Sequence, residues 1–447
     1  MPRQQLGATM ALPKVVWMKK HWHLKENPFP AEAIARLGSS DMRENGLLFN
    51  PDVQTEKVAE AIEKFVLGAV YSGQKFGFLW SLGTGLHGDA RGFGKSVLLQ
   101  YLVEFINKDF GLSAFKQGGL EKEDADENPM CAVLASFDMA NAKSLNAVFF
   151  EAVRYACRFT RLSGEQTLAD RLKDRLIHKL GTSTPADLVD AVNRVQLDLR
   201  GRTLGPPVSD FLELLCGEDS DALKVYMDDV TLGKRTRSGA IYMSTFLLFV
   251  KAAGIDHVLL CCDQLEDFAA TTTTKQKRTS ETEKFRDYIL ELQPMGDMLS
   301  CIVTMHPRAT TAIGEMWRLA DLPSYDHNRE ENRNRVVIME RLQTPYEAET
   351  LVRQYLDRAR TLPSKDDLHP FSADAVQTLY TRSDGKPRDI LRKANALIDS
   401  GAEQNWEIID GERASATLDN LRISDEDEYW TEQPASATAS RANMWHE

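Results

Sequence analysis

The string Gly88-Asp89-Ala90-Arg91-Gly92-Phe93-Gly94-Lys95-Ser96 joins backbone-exposing glycines to one ammonium and one hydroxyl. Chemically, that is a set suited to holding a phosphate chain. Glycines let the main chain wrap an anion with its N–H groups pointing inward. Lys95 would reach the outer phosphates, and the Ser96 hydroxyl would ligate Mg²⁺. The phosphate-facing backbone would be that of Gly92, Phe93, Gly94, Lys95, Ser96 and Val97. A strand-like run, Phe76 to Leu82, precedes the loop, and an apolar-rich helix beginning at Val97 follows it. Such a helix adds unpaired N–H groups and the positive end of its dipole. One spacing departs from the usual G-x-x-x-x-G-K-[ST]. That pattern asks for glycine at position 89, where this chain has Asp89, with Gly88 one place early. Either the loop is one residue longer, or Asp89 occupies its first position.

A phosphate loop needs a second, acidic element to complete the metal shell. Asp256 to Phe268 is an apolar run that ends in carboxylates, as a strand buried on both faces does. Asp263 at its carboxyl end would hold the Mg²⁺ water shell from the side opposite Ser96. Gln264 and Glu266 follow it.

Composition sets the frame around these elements. A chain of 447 residues, 43% hydrophobic, can bury a substantial core and predicts two or three domains. Its six cysteines show no metal-ligand spacing and read as buried thiols in a reducing compartment. The nine histidines form no ligand pair. No apolar segment approaches the ~20 residues that span a bilayer, and no signal-peptide core opens the chain. A cytoplasmic, soluble protein without a membrane partner is expected. The formal charge of −12 opposes wholesale nucleic-acid binding but leaves room for a local basic surface. Two basic clusters stand out. One is Lys14, Lys19, Lys20 and Lys25 interleaved with Trp17, His21, Trp22 and His23; the other is a polar, basic loop formed by Thr271–Thr274 together with Lys275-Gln276-Lys277-Arg278. Either could touch nucleic-acid phosphates or another subunit, or be a solvated loop and a terminal arm packed on its own domain.

Strand-like runs at 76–82, 131–138, 256–263, 299–304 and 336–339 alternate with helical patterns. The fold class is therefore α/β: a parallel-sheet phosphate-loop core covered by helices on both faces, followed by a small all-helical lid domain. The expected organisation is an N-terminal arm at 1–45, a core at 46–343 with a helical insertion at about 160–240, a helical lid at 344–423, and an acidic, Ser/Ala-rich tail at 424–447. The tail is expected to be disordered in isolation, and its Trp430 and Trp445 leave open a docking role on a protein partner.

This order of phosphate loop, acidic strand, polar-ended strand and helical lid with Gly385-Lys386-Pro387-Arg388 resembles AAA+ ATPases. It is similar in particular to the origin-recognition and STAND-like branches and to ATPases of mobile-element and phage-defence systems. The resemblance covers about residues 25–420, and Asn27-Pro28-Phe29 looks like the start of such domains. It implies that Arg388, in a Gly-x-Pro-Arg turn, senses the terminal phosphate. By the same resemblance Thr304, with His306 as a second candidate, positions the attacking water. Arg308 or Arg318 would be presented to a neighbouring subunit. The departure is Gln264, where many members place glutamate. Gln can orient water but cannot take its proton. Asp-Gln-Leu-Glu-Asp is similar to the Asp-Gln-x-Glu pattern of STAND-type switches, in which Glu266 takes over part of the base role. Otherwise Glu266 caps the next helix or pairs with a lid cation.

The expected activity is ATP binding with Mg²⁺ between core and lid, and hydrolysis, slow or otherwise, coupled to homo-oligomer assembly or to remodelling of a DNA-associated or protein partner. The alternatives are a STAND-like signalling switch and a nucleotide-bound scaffold without turnover, in a defence or mobile-element system.

Overall fold

Five apolar runs form strands: β1 Phe76–Ser81, β2 Met130–Ser136, β3 His257–Asp263, β4 Leu299–Met305 and β5 Val336–Met339. All neighbouring pairs are parallel, in the order β2-β3-β4-β1-β5. The computed structural model describes residues 13–33, 43, 51–82, 91–136, 146–159, 166–199, 207–230, 238–265, 274–291, 298–362 and 367–421.

The strands are almost uniformly apolar because helices cover both faces. On one face Leu79, Leu134, Leu259, Cys261, Ile302 and Val337 pack with Leu98, Leu99 and Leu102 of helix Lys95–Lys108. On the other, Phe78, Val133, Leu260 and Val303 pack with Phe149 of helix Asn146–Arg158 and Phe246 of helix Gly239–Ala252. Close approach decides one position. A Cβ on Gly77 would lie 2.5 Å from the Phe65 ring, so glycine there lets the helical run Thr55–Tyr71 press onto β1. That run contains a π-helical stretch, Ile62–Leu67.

Both sheet edges are closed by side chains, which prevents further strand pairing. At β2, Asn107 accepts from the Ala132 N–H and donates to its carbonyl, both at 2.8 Å. At β5, Lys64 donates to the Val336 carbonyl at 2.7 Å and Gln54 to that of Glu340 at 3.2 Å.

Between β2 and β3, helices Leu168–Leu180, Pro185–Asp198, Ser209–Cys216 and Ser220–Asp229 are inserted. After β3, Lys275–Arg278 differ from the loop expected of them. They form the first turn of helix Lys275–Glu291, whose apolar residues Phe285, Tyr288 and Ile289 pack on the sheet. That packing is what draws a polar stretch into helix. Among the described residues no helix is long and apolar enough to cross a membrane. All six cysteines are buried free thiols; burial alone pushes that of Cys131 up to about 12.

The chain divides into two units, and the sheet lies in the one comprising Ala33–Leu82 and Ala90–Leu342. The second contains the described residues 13–32 and 343–421, with helices Pro345–Ala359, Ala373–Arg382, Pro387–Glu403 and Gly411–Asn420. Thr344 and Glu347 form a reciprocal capping box at the first of these. The segment expected as a separate arm is, over residues 13–32, part of this helical unit. Its aromatics explain why. Trp22 is fully buried and donates through Nε1 to the carbonyls of Trp406 and Glu407, each at 3.1 Å. Trp17 donates to the Trp406 carbonyl at 3.2 Å. Phe29 is fully buried against Tyr355 and Phe371, and Asn27 bonds the Asn395 carbonyl and the Asp399 carboxylate. The aromatics of this segment are thus a docking surface for its own helices, while Lys19, Lys20 and Lys25 stay exposed. Residues 422–447, the expected tail, lie outside the described residues.

Truncating a buried Trp removes both burial and two carbonyl partners. Trp22→Ala is expected to destabilise the helical unit by about 3–5 kcal/mol. Urea unfolding followed by Trp fluorescence checks this; a loss below about 1 kcal/mol would mean the segment is dispensable to the unit.

Candidate functional site

Alternation along a strand sends successive side chains to opposite faces. Ser81 therefore shares the face of Leu79, Asp263 that of Cys261, and Thr304 that of Ile302. This is the face covered by helix Lys95–Lys108. All strands run the same way, so these three polar residues stand at one end of the sheet, beside the amino end of that helix. Each is buried: Ser81 is 0%, Asp263 7% and Thr304 1% exposed. Polar groups at these depths belong to a site or a network, because a buried polar atom needs a partner.

The described end of the loop entering the helix turns through two left-handed glycines. Gly92 and Gly94 take φ values of 81° and 92°, in the region that disfavours side chains. Gly94 is the N-cap, and no side chain caps the helix. Between the glycines, Phe93 is 4% exposed and packs in the cluster with Leu79, Leu98 and Met339, which ties the loop to the core. The Lys95 ammonium donates to the Ser81 hydroxyl. Ser96 and Val97 are half-buried in the first turn. At the other end of the helix, Asn107 clamps β2 as described above, so the helix is held at both ends.

Beyond β3 the chain turns sharply. Gln264 is left-handed, with φ 57°, and its N–H donates to the Thr304 hydroxyl at 3.0 Å. His306 is 5% exposed at the end of β4, and its carbonyl accepts from the Thr310 N–H within the first turn of helix Pro307–Leu319. Arg308 is the second residue of that helix, and Arg318 lies exposed in its last turn.

Of the residues singled out in the sequence, Gly92, Phe93, Gly94, Lys95, Ser96, Val97, Asp263, Gln264 and Thr304 thus meet in the sheet unit. Glu266, Gly88 and Asp89 lie outside the described residues. Arg388 belongs to the helical unit, at the second position of helix Pro387–Glu403, where its Nε donates to the Glu32 carbonyl at 3.5 Å. Two contributors had not been singled out. Ser81 carried a signal, a small polar residue closing an apolar strand just before the loop. Asn107 carried none, since an Asn within a helix pattern reads as a solvent-facing residue.

The donor set suits Mg²⁺, a hard cation that prefers hydroxyl, carboxylate, phosphate and water oxygens. Among the described residues no group of three or more His, Cys, Asp and Glu could hold a metal ion; a hydroxyl, one carboxylate and a phosphate chain require no such group.

Comparison with known proteins adds little. No family model matches the chain, and no curated protein does. Among solved structures, the Aeropyrum pernix ORC2 protein, determined as ADPNP and ADP complexes, is similar at 10% identity with a TM-score of 0.43. The match covers 92% of this chain and 75% of that one. A likeness at that level carries no argument for family or function.

The Asn107 clamp has a measurable consequence. Asn107→Leu leaves the buried Ala132 N–H and carbonyl without partners, and should lower stability by about 2–4 kcal/mol in urea unfolding. An unchanged midpoint would mean that water satisfies the β2 edge instead.

Proposed function

We propose that the protein binds ATP with Mg²⁺ and hydrolyses it, and that nucleotide state controls its assembly or its action on a partner. One observation carries this reading. A 14-residue helix without a side-chain cap, entered through two left-handed glycines and bearing Lys95, begins beside a buried carboxylate and hydroxyl on the same sheet face. Main-chain N–H groups of Gly92 to Val97 would bind phosphate oxygens, and Lys95 would leave Ser81 to neutralise the outer phosphates. Ser96 and Asp263 would hold the metal, which supplies charge neutralisation to the phosphate chain. Arg388 keeps its assignment to the terminal phosphate on sequence grounds, as do Glu266 to the proton of the attacking water and Arg308 or Arg318 to a neighbouring subunit.

A second reading is a nucleotide-bound switch or scaffold with little turnover. Gln264 favours it, because the residue directly after Asp263 cannot accept a proton. DNA as a partner rests on the basic first turn of helix Lys275–Glu291 and is opposed by the net charge of −12.

Lys95→Ala should weaken ATP binding by about 10- to 100-fold, the loss of a charged hydrogen bond, in calorimetry with Mg²⁺. Asp263→Asn should weaken the Mg²⁺ dependence of binding. Glu266→Gln should bind ATP normally and lose turnover. Wild type that binds ATP and changes mass in light scattering without turnover supports the switch; wild type that does not bind ATP sinks both readings.

A further inference from the structure

We infer that the cavity between helix Pro307–Leu319 and residues 321–329 is a second ligand site, for a flat nitrogen-containing aromatic ring that carries an oxyanion. Trp80 and Ser81 are successive on β1 and so face opposite layers. Trp80 lines the cavity, which therefore lies on the layer away from helix Lys95–Lys108. The inference does not depend on the ATPase reading.

The cavity has a volume of about 600 Å³, within the range of roughly 300–1,000 Å³ that small-molecule sites occupy. Its walls are aromatic. The Trp80 indole N–H donates to the Tyr325 carbonyl at 2.9 Å, and that of Trp317 to the Pro323 carbonyl at 2.8 Å. Both indole donors are thus spent, and what these rings offer a ligand is aromatic carbon. The Tyr325 ring completes the wall, 6.2 Å from that of Trp80 and 6.4 Å from that of Trp317. Helix Pro307–Leu319 makes room for it: a Cβ on Gly314 would lie 2.3 Å from the Tyr325 hydroxyl.

The polar groups of the lining divide into spent and unspent. Asp326 accepts from the Asn328 N–H at 3.0 Å and pairs with Arg329 at 3.5 Å, and Arg329 also pairs with Glu331 at 3.2 Å. Three groups are left. The His327 ring lies 4.7 Å from that of Trp80, and its Nδ1 is buried without a partner among the described residues. A buried polar atom needs one. Arg318 and Asp321 are exposed and make no side-chain hydrogen bond or ion pair with the described residues. Glu315, one turn before Arg318, is taken by Lys275 at 2.6 Å. Arg318, one of two sequence candidates for a neighbouring subunit, thus lines a cavity of its own chain. A guanidinium in this position matches a carboxylate or phosphate. Asp321 and His327 match a ring N–H or amine, and the aromatic walls match the ring itself.

The test is calorimetry on the full chain with four probes. Indole-3-acetate represents a carboxylate source and adenosine monophosphate a phosphate source; indole lacks the oxyanion, and phenyltrimethylammonium reverses its charge. At least one of the two anionic probes should bind with a dissociation constant of about 1 mM or tighter, and the other two about tenfold or more weakly. Arg318→Gln should weaken the anionic probe by about 10- to 100-fold, the loss of a charged hydrogen bond. His327→Phe keeps a ring against Trp80 but removes Nδ1, and should weaken it by about 3- to 10-fold. Lys95→Ala should leave its affinity unchanged. The proposal is overturned if neither anionic probe binds, or if indole or the ammonium binds as tightly. Unchanged affinity in Arg318→Gln or in His327→Phe places the molecule outside this cavity and overturns it as well. If adenosine monophosphate alone binds and Lys95→Ala abolishes that binding, the phosphate loop is its site and the proposal falls.

Discussion

A parallel sheet covered on both faces leaves only the ends of its strands for polar groups, and the candidate site depends on that constraint. Within the layers, each side chain must meet an apolar neighbour. Toward the carboxyl ends of the strands, helix Lys95–Lys108 meets the sheet with its polar amino end, where Lys95 donates to Ser81. Polar side chains there can be held by few partners and still face a ligand. Ser81, Asp263 and Thr304 occupy such positions on three different strands. Two-residue alternation then assigns all three to one face. A shift of one residue in any of these strands would send its polar residue to the opposite layer, among Phe149 and Phe246.

The same constraint explains why the helix Lys95–Lys108 is tied down so thoroughly. No side chain caps its amino end, so that end is not what fixes it. The fixing is done elsewhere: by Phe93 buried between the two glycines, by the leucine face on the sheet, and by Asn107 on the edge of β2. Anchoring at a distance defines the position of the helix without a side-chain cap at its amino end. Gly77 serves the layer as a whole, because the Phe65 ring occupies the space where a side chain would be.

The helical unit shows the opposite economy, with polar groups used for docking. Trp17 and Trp22, which are buried, and half-buried Asn27 each carry a donor that reaches a carbonyl of the Pro387–Glu403 helix or of the segment after it. Indole suits this task, since it buries a large apolar area and satisfies a carbonyl at once. A segment with lysines and histidines between its tryptophans can therefore be read, from composition alone, as a nucleic-acid arm. The buried edges of those tryptophans are what separate the two readings.

Local chemistry was legible in the sequence. The glycine spacing before Lys95, the apolar strand ending at Asp263, and the alternation of strands with helices follow from nearest-neighbour rules of backbone freedom and burial. These rules determined the α/β class and singled out the glycines, Lys95 and Ser96 at the start of one helix. The tertiary structure alone decided which polar residues share a face, that Lys95 rests on Ser81, and that Thr304 holds Gln264. It alone decided that Asn107 closes a strand edge, that Lys275–Arg278 join a helix, and that the N-terminal tryptophans close a helical unit. The physical reason is distance along the chain. Thr304 and Gln264 are 40 residues apart, and Trp22 and Trp406 are 384 apart. Partnerships of that kind are set by the register of packed layers, which no local pattern of residues encodes.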